Sequence, residues 1–295
     1  MKLYKQTLGS RTFDLFNYLL MIFLCITMLY PLLNTFSISL SDPTLVGQGK
    51  ISWYPRGFTL DGYAYLFKDN EIIRSYWNTI VYVVLGTTVQ LLMTSLFAYP
   101  LAMSHFVLRK PLAVLVIITM IFNGGLIPSY MLIRNLGLFD TMAVIILPAA
   151  LSAFNIIIFR TFFQDIPAEL RESAFLDGAN DITVLFRIYL PLSKPLMATF
   201  ALFGAVSFWN MWFEAMIYLN DETMHPIQMM LRRMILQLED YTDLAGLQRY
   251  VETTNVNPRN IKMAAVIVTI LPIMFVYPLL QKHFVSGMMI GSVKG

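Results

Sequence analysis

The sequence predicts an all-α membrane protein that crosses the bilayer six times. Three observations carry this expectation. Of 295 residues, 57% are hydrophobic and only 13% are charged, whereas a soluble domain carries about 25% charged residues. Six apolar runs each approach the roughly 20 residues that a helix needs to cross about 30 Å of hydrocarbon. A polar segment, 164–193, lies between two of these runs, where a short turn would suffice to reverse the chain.

The runs span about 15–38, 77–103, 111–132, 141–163, 195–219 and 262–285. The first follows Lys2, Lys5 and Arg11, as a signal peptide would. It is too long for a signal h-region and lacks a small-residue cleavage site, so it reads as a retained span. Most runs contain Pro or Asn, at Pro31, Pro128, Pro148, Asn155, Asn210 and Pro272. Such breaks are tolerated where neighbouring helices or a cavity satisfy the freed backbone groups. Six spans place both termini on one side. Basic residues in the first eleven positions, Arg109 and Lys110 in the short 104–110 loop, and Arg160, Arg171, Arg187 and Lys194 around the polar segment make that side the cytoplasm. Segments 39–76 and 220–261 then face outside and carry Trp53, Tyr54, Tyr63 and Tyr65.

A single transmembrane domain over 1–295 is expected, with no internal repeat or low-complexity tract. The net charge of +3 and the absence of a Lys/Arg run give no sign of nucleic-acid binding. Cys25 stands alone in an apolar run, so no disulfide framework is possible within the chain, and a buried small hydrophobe is expected there. His105, His225 and His283 are scattered, and no metal site is expected. The nearest fragment to a phosphate-binding loop, Gly47-Gln48-Gly49-Lys50, lacks the upstream glycine. With no Gly-x-Ser-x-Gly elbow either, the chain reads as a non-enzyme.

The 164–193 segment reads as two short helices. Pro167 suits a first helical turn, Glu169 and Glu172 favour an N-terminal half, and Gly178 suits the stop. Leu170, Ala174 and Phe175 share a face. Asn180 or Asp181 can cap a second helix, in which Ile182, Leu185, Phe186 and Tyr189 follow i, i+3, i+4, i+7 spacing until Pro191 ends it. Such a pair has three uses: covering the end of the bundle, lying on lipid, or docking in a partner's groove. Its acidic residues Glu169, Glu172, Asp177 and Asp181 argue against anionic headgroups.

Glu172-Ser173-Ala174, then Gly178, then Ile188 and Leu190-Pro191 resembles the cytoplasmic loop of bacterial ABC-importer permeases: Glu-Ala-Ala, three residues, Gly, nine residues, Ile, one residue, Leu-Pro. The one departure is Ser173 for the first Ala. The resemblance extends along the chain. Phe122-Asn123-Gly124-Gly125-Leu126-Ile127-Pro128, Phe208-Trp209-Asn210-Met211-Trp212-Phe213 and the ending Gly287–Gly295 are similar to carbohydrate permeases of the maltose-permease group, in the branch serving complex oligosaccharides. It implies that Glu172, Ser173, Ala174, Asp177, Gly178, Ala179, Ile188, Leu190 and Pro191 form a coupling helix seated on an ATP-binding subunit, with Glu172 making the charge contact. It implies a second homologous permease, two copies of the ATPase that hold ATP and Mg, an extracellular solute-binding protein, and a tail reaching between the ATPases. No cofactor is expected on this chain.

Polar residues within spans are expensive and mark pathways. Asn155, Asn210 and Glu214, with Trp209 and Trp212, are the substrate-pathway candidates, since an amide beside an aromatic platform suits sugar hydroxyls and C–H faces. They equally suit helix–helix bonding and interfacial packing. On a continuous helix the two Trp residues would lie about 60° apart and face broadly one way. Two other functions stay open: a secondary transporter, which would need inverted repeats and an intramembrane carboxylate pair, and an ABC permease for a non-sugar solute.

Overall fold

A computed structural model describes residues 8–68, 70–237, 251 and 256–288, with side chains to 275. Position 242 and residues 289–295 of the tail motif lie outside them. The described residues are helical and contain no strand, as an all-α membrane protein requires. The helices are α1 (Leu8–Ser39), α2 (Pro43–Gly47), α3 (Asp61–Leu66), α4 (Glu71–Ala102), α5 (Arg109–Ile121), α6 (Leu126–Asn135), α7 (Met142–Ile146), α8 (Ala153–Gln164), α9 (Ala168–Leu176), α10 (Asp181–Leu192), α11 (Lys194–Trp209), α12 (Phe213–Tyr218), α13 (Ile227–Gln237) and α14 (Pro258–Met288).

Two compact units divide the chain, Met1–Asn70 with Arg233–Ile270, and Glu71–Arg232 with Leu271–Gly295. In the first, buried Asn260 pins the end of α1: its amide donates to the carbonyls of Ile38 (2.9 Å) and Ser41 (2.7 Å). Ile38, Val46 and Ile51 form a small core there with Met263 packed against it. Cys25 is exposed rather than buried. The reason is that the apolar stretch of α1 buries none of its window inside the chain, so its hydrophobicity serves the bilayer and not a core.

In the second unit α4 packs along α8 and α11. The α4–α11 approach is close enough that a Cβ at Gly86 would overlap the Phe208 ring. Phe159, Phe163, Tyr189 and Phe200 form an edge-to-face aromatic core between α8, α10 and α11.

The expected spans differ in continuity. Among the described residues three unbroken helices are long and apolar enough to cross a membrane, Gly9–Ser39, Glu71–Ala102 and Pro258–Phe275, and counting each of two bent helix pairs as one span brings the number to five. Pro31 and Pro272 lie inside unbroken helices. The 111–132 run is instead two helices, α5 and α6, meeting at 116°. Asn123 Oδ1 accepts the Gly125 N–H at 2.9 Å, and Gly125 adopts φ +85°, which ends one helix and aims the next. The 141–163 run is divided between α7 and α8 by residues 147–152, which include Pro148. The 195–219 run is divided between α11 and α12 at Asn210. Pro191 does not end α10. It lies in the last turn, which closes one residue later at Leu192, and the chain bends by 83° into α11 at Ser193.

Candidate functional site

The polar loop turns at a hydrogen-bonded joint between its two helices. Pro167, with ψ 131°, precedes α9 as its cap rather than entering its first turn. At the other end Gly178 (φ +83°) donates to Phe175 O at 3.0 Å and Ala179 N–H donates to Ala174 O at 2.9 Å. This paired 5→2 and 6→1 arrangement is the Schellman ending, which requires a left-handed residue. Asn180 Oδ1 then accepts the Thr183 N–H at 2.8 Å and starts α10.

The two helices use their faces differently. No residue of α9 is buried. Glu172, Ser173, Asp177, Gly178 and Pro191 are exposed, whereas Ala174, Ala179, Ile188 and Leu190 are partly buried against the aromatic core. Leu176 is 89% exposed and Ile182 67%. The expected α10 face is corrected. Val184, Leu185 and Tyr189 turn inward, and Ile182 and Phe186 turn out. A π-helical turn over Leu185–Tyr189 changes the periodicity that the spacing assumed.

At the opposite end of the second unit the helix breaks converge. A cavity of about 620 Å³ is lined by Asn123 from the α5–α6 bend, Pro148 from the α7–α8 break, and Asn210 and Trp212 from the α11–α12 break, with Ser129 and Glu214. Irregular backbone at membrane depth is admissible where it lines such a cavity. Asn210 is held by donating to Val206 O (2.9 Å) and accepting from Gln228 Nε2 (3.5 Å). The Arg232 guanidinium sits 5.0 Å from the Trp212 ring centre.

Three sequence-predicted pathway residues, Asn210, Trp212 and Glu214, therefore meet in one cavity. Trp209 does not join them. It is 8% exposed, packs edge-on to Tyr76 at 6.0 Å and lines a separate apolar cavity with Ile80, Val84 and Leu202. The shared face expected for Trp209 and Trp212 assumed an unbroken helix, and α11 ends between them. Asn155 is half-buried in the first turn of α8, with its N–H on Ser152 Oγ, rather than mid-span, and is not among the lining residues. Sequence reasoning missed Asn123 and Ser129 as lining residues. The Asn-Gly-Gly turn signal was there to find them.

Asp140 ties the α6–α7 connection to the residues after α12. It accepts the N–H groups of Asn220 and Asp221 and the Asn220 side-chain amide. The N–H of Asp221, then the Asn220 amide and N–H, hold its carboxyl below the usual carboxylate range. Its φ of +52° is a conformation Asp tolerates better than most residues.

A helical membrane fold, a cavity fed by broken helices and an exposed, turn-capped helix pair at the other end define a permease of the ABC-importer type. The chain belongs to the family of binding-protein-dependent transport system inner membrane components, which it matches over residues 75–290. It is accordingly a multi-pass inner-membrane protein and a transporter component rather than an enzyme. It is 44% identical over 292 residues to Protein LplC of Bacillus subtilis, covering 98% of this chain and 97% of that one. It is 38% identical over 290 residues to the polygalacturonan/rhamnogalacturonan transport system permease protein YtcP of the same organism, covering 97% and 99%. Among solved structures it superposes with a TM-score of 0.88 and 33% identity on a chain of a bacterial ABC transporter involved in the import of the acidic polysaccharide alginate, covering 96% of this chain and all of that one.

Proposed function

We propose that the chain is one half of the translocation pathway of an ATP-driven oligosaccharide importer. The observation that carries this is the convergence of three helix breaks on one polar and aromatic cavity, in a chain whose relatives include a polygalacturonan/rhamnogalacturonan permease and an alginate importer. Asn123, Ser129, Asn210 and Glu214 offer hydrogen bonds to sugar hydroxyls, and Trp212 offers a ring to a sugar face.

The exposed loop is the coupling element in this reading. Glu172, Ser173, Asp177, Gly178 and Pro191 meet an ATP-binding subunit, while Ala174, Ala179, Ile188 and Leu190 hold the loop to the permease. ATP and Mg reside on two copies of that subunit. A second homologous permease completes the pathway, and an extracellular binding protein delivers the sugar. The termini and the 164–193 loop face the cytoplasm. Support comes from the short basic 104–110 loop, which meets this loop through His105 and Arg171.

Purification from the native membrane through a tag on this chain tests the proposal. Mass spectrometry is expected to find a second permease, two ATPase copies and a binding protein that carries an oligosaccharide. Recovery without an ATPase would overturn the importer reading, and a non-sugar solute on the binding protein would overturn the substrate class.

A further inference from the structure

We propose that Asp181 is the positioning residue that transmits movement of the docked loop to the membrane helices, by clamping α9 to the end of α4. The proposal rests on the coupling role assigned above.

With no buried residue, α9 is poorly held by packing. Its covalent route into α10 passes through the Gly178 turn, whose angle is held by the two backbone bonds of the Schellman ending and by no side chain at Gly178. A push on α9 therefore reaches α10 through this one backbone turn unless a side-chain contact braces it. The brace is Arg171. Its Nη2 lies 3.4 Å from Asp181 Oδ1 and 3.1 Å from His105 Nε2. Its guanidinium is laid 4.4 Å from the centre of the Phe175 ring, one turn further along α9. The same Asp181 Oδ1 accepts the Tyr99 hydroxyl at 2.9 Å. One carboxylate oxygen thus joins α9, the first residue of α10 and the end of α4.

The Asp181 side chain is 54% exposed. An ion pair so open to water contributes little to stability, so the value of this arrangement is geometric. It makes the helix–turn–helix a braced triangle resting on α4. That helix is continuous over 32 residues. Its other end holds the segment next to the cavity wall: Tyr82 donates to Met224 O (2.8 Å), Asn78 to Thr223 O (2.7 Å), and Thr79 accepts from Ile227 N–H (2.8 Å). Displacement entering at Asp181 has a continuous helical path to the outer segment.

The test uses the purified complex in nanodiscs with Ser129→Cys as a cavity reporter in a Cys25→Ala background. The rate of thiol labelling is measured with and without AMP-PNP, a non-hydrolysable ATP analogue. The parent is expected to show a nucleotide-dependent change. Asp181→Asn should shrink that change by roughly fivefold or more, the lower end of ordinary coupling between two sites. Tyr99→Phe, which deletes one hydroxyl and leaves the ion pair, should shrink it less. ATPase co-purification and thermal midpoint should stay at parental values in both. A parental response in Asp181→Asn would overturn the proposal alone. Loss of the ATPase from both variants would also overturn it, by making the cluster part of the docking surface. A parent with no nucleotide response would overturn the importer reading itself.

Discussion

Asp140 and Asn220, 80 residues apart in sequence, are joined by two hydrogen bonds, one from the Asn220 backbone and one from its side-chain amide. With the further bond from Asp221 N–H, this carboxylate closes the α6–α7 connection onto the chain leaving α12. Because its acidity is enhanced in the fold, it contributes stability above the ordinary carboxylate pKa, and that contribution is lost as pH falls through the lower folded value. Asp140→Ala should therefore lower the thermal midpoint at pH 7, and the gap to the parent should close below about pH 4. Asp140→Asn, which keeps one acceptor oxygen and tolerates the left-handed backbone, should lower it less. Midpoints measured from pH 3 to 7 check both.

Gly178 sets the angle between the two loop helices through its φ of +83°. Space within the chain is open around it, so a substitution acts through the backbone, at roughly 1–2 kcal/mol for an ordinary L-residue, and through the bulk and charge it adds to the face proposed to meet the ATPase. Gly178→Asp should reduce uptake strongly while leaving membrane abundance near normal, and Gly178→Asn, which accepts the conformation more readily, should reduce it less. Uptake and immunoblots on both variants decide it. Normal uptake in Gly178→Asp would remove the loop from the coupling role.

Trp209 and Trp212 should separate cleanly. Trp209 is buried against Tyr76, so Trp209→Ala should cost stability, about 3–5 kcal/mol for a large aromatic truncation. Trp212 is 38% exposed on the cavity, so Trp212→Ala should cut transport by an equivalent of roughly 1–3 kcal/mol with basal ATPase intact. Stability loss with proportionate uptake loss at Trp212 would return it to packing.

Orientation is tested with single cysteines at two exposed positions, Ser173 and Thr223, in a Cys25→Ala background. An impermeant thiol reagent applied to intact cells, with any outer barrier permeabilised, should mark only position 223. Labelling of 173 alone would reverse the topology.

Much of the loop was legible because its determinants are local. Gly178 as a stop and Asn180 as a cap depend on backbone geometry within four residues, and the structure shows both. The inward face of α10 was not legible. The spacing of Ile182, Leu185, Phe186 and Tyr189 assumes a uniform period, and the π turn over Leu185–Tyr189 breaks that period. Asn123 carried a turn signal, but the identity of its neighbours in space did not follow from it.

Composition and apolar run length alone determined that this chain is helical and lives in a membrane, because the bilayer imposes one requirement on every spanning segment: its backbone must be satisfied internally. Local turn chemistry determined where the polar loop bends. Only the tertiary structure decided that α11 stops between Trp209 and Trp212, that breaks in three separate runs face one cavity, and that Arg171, Asp181 and Tyr99 meet. Those outcomes depend on which helices lie side by side, and helix adjacency is set by packing among distant segments, information that no window of sequence contains.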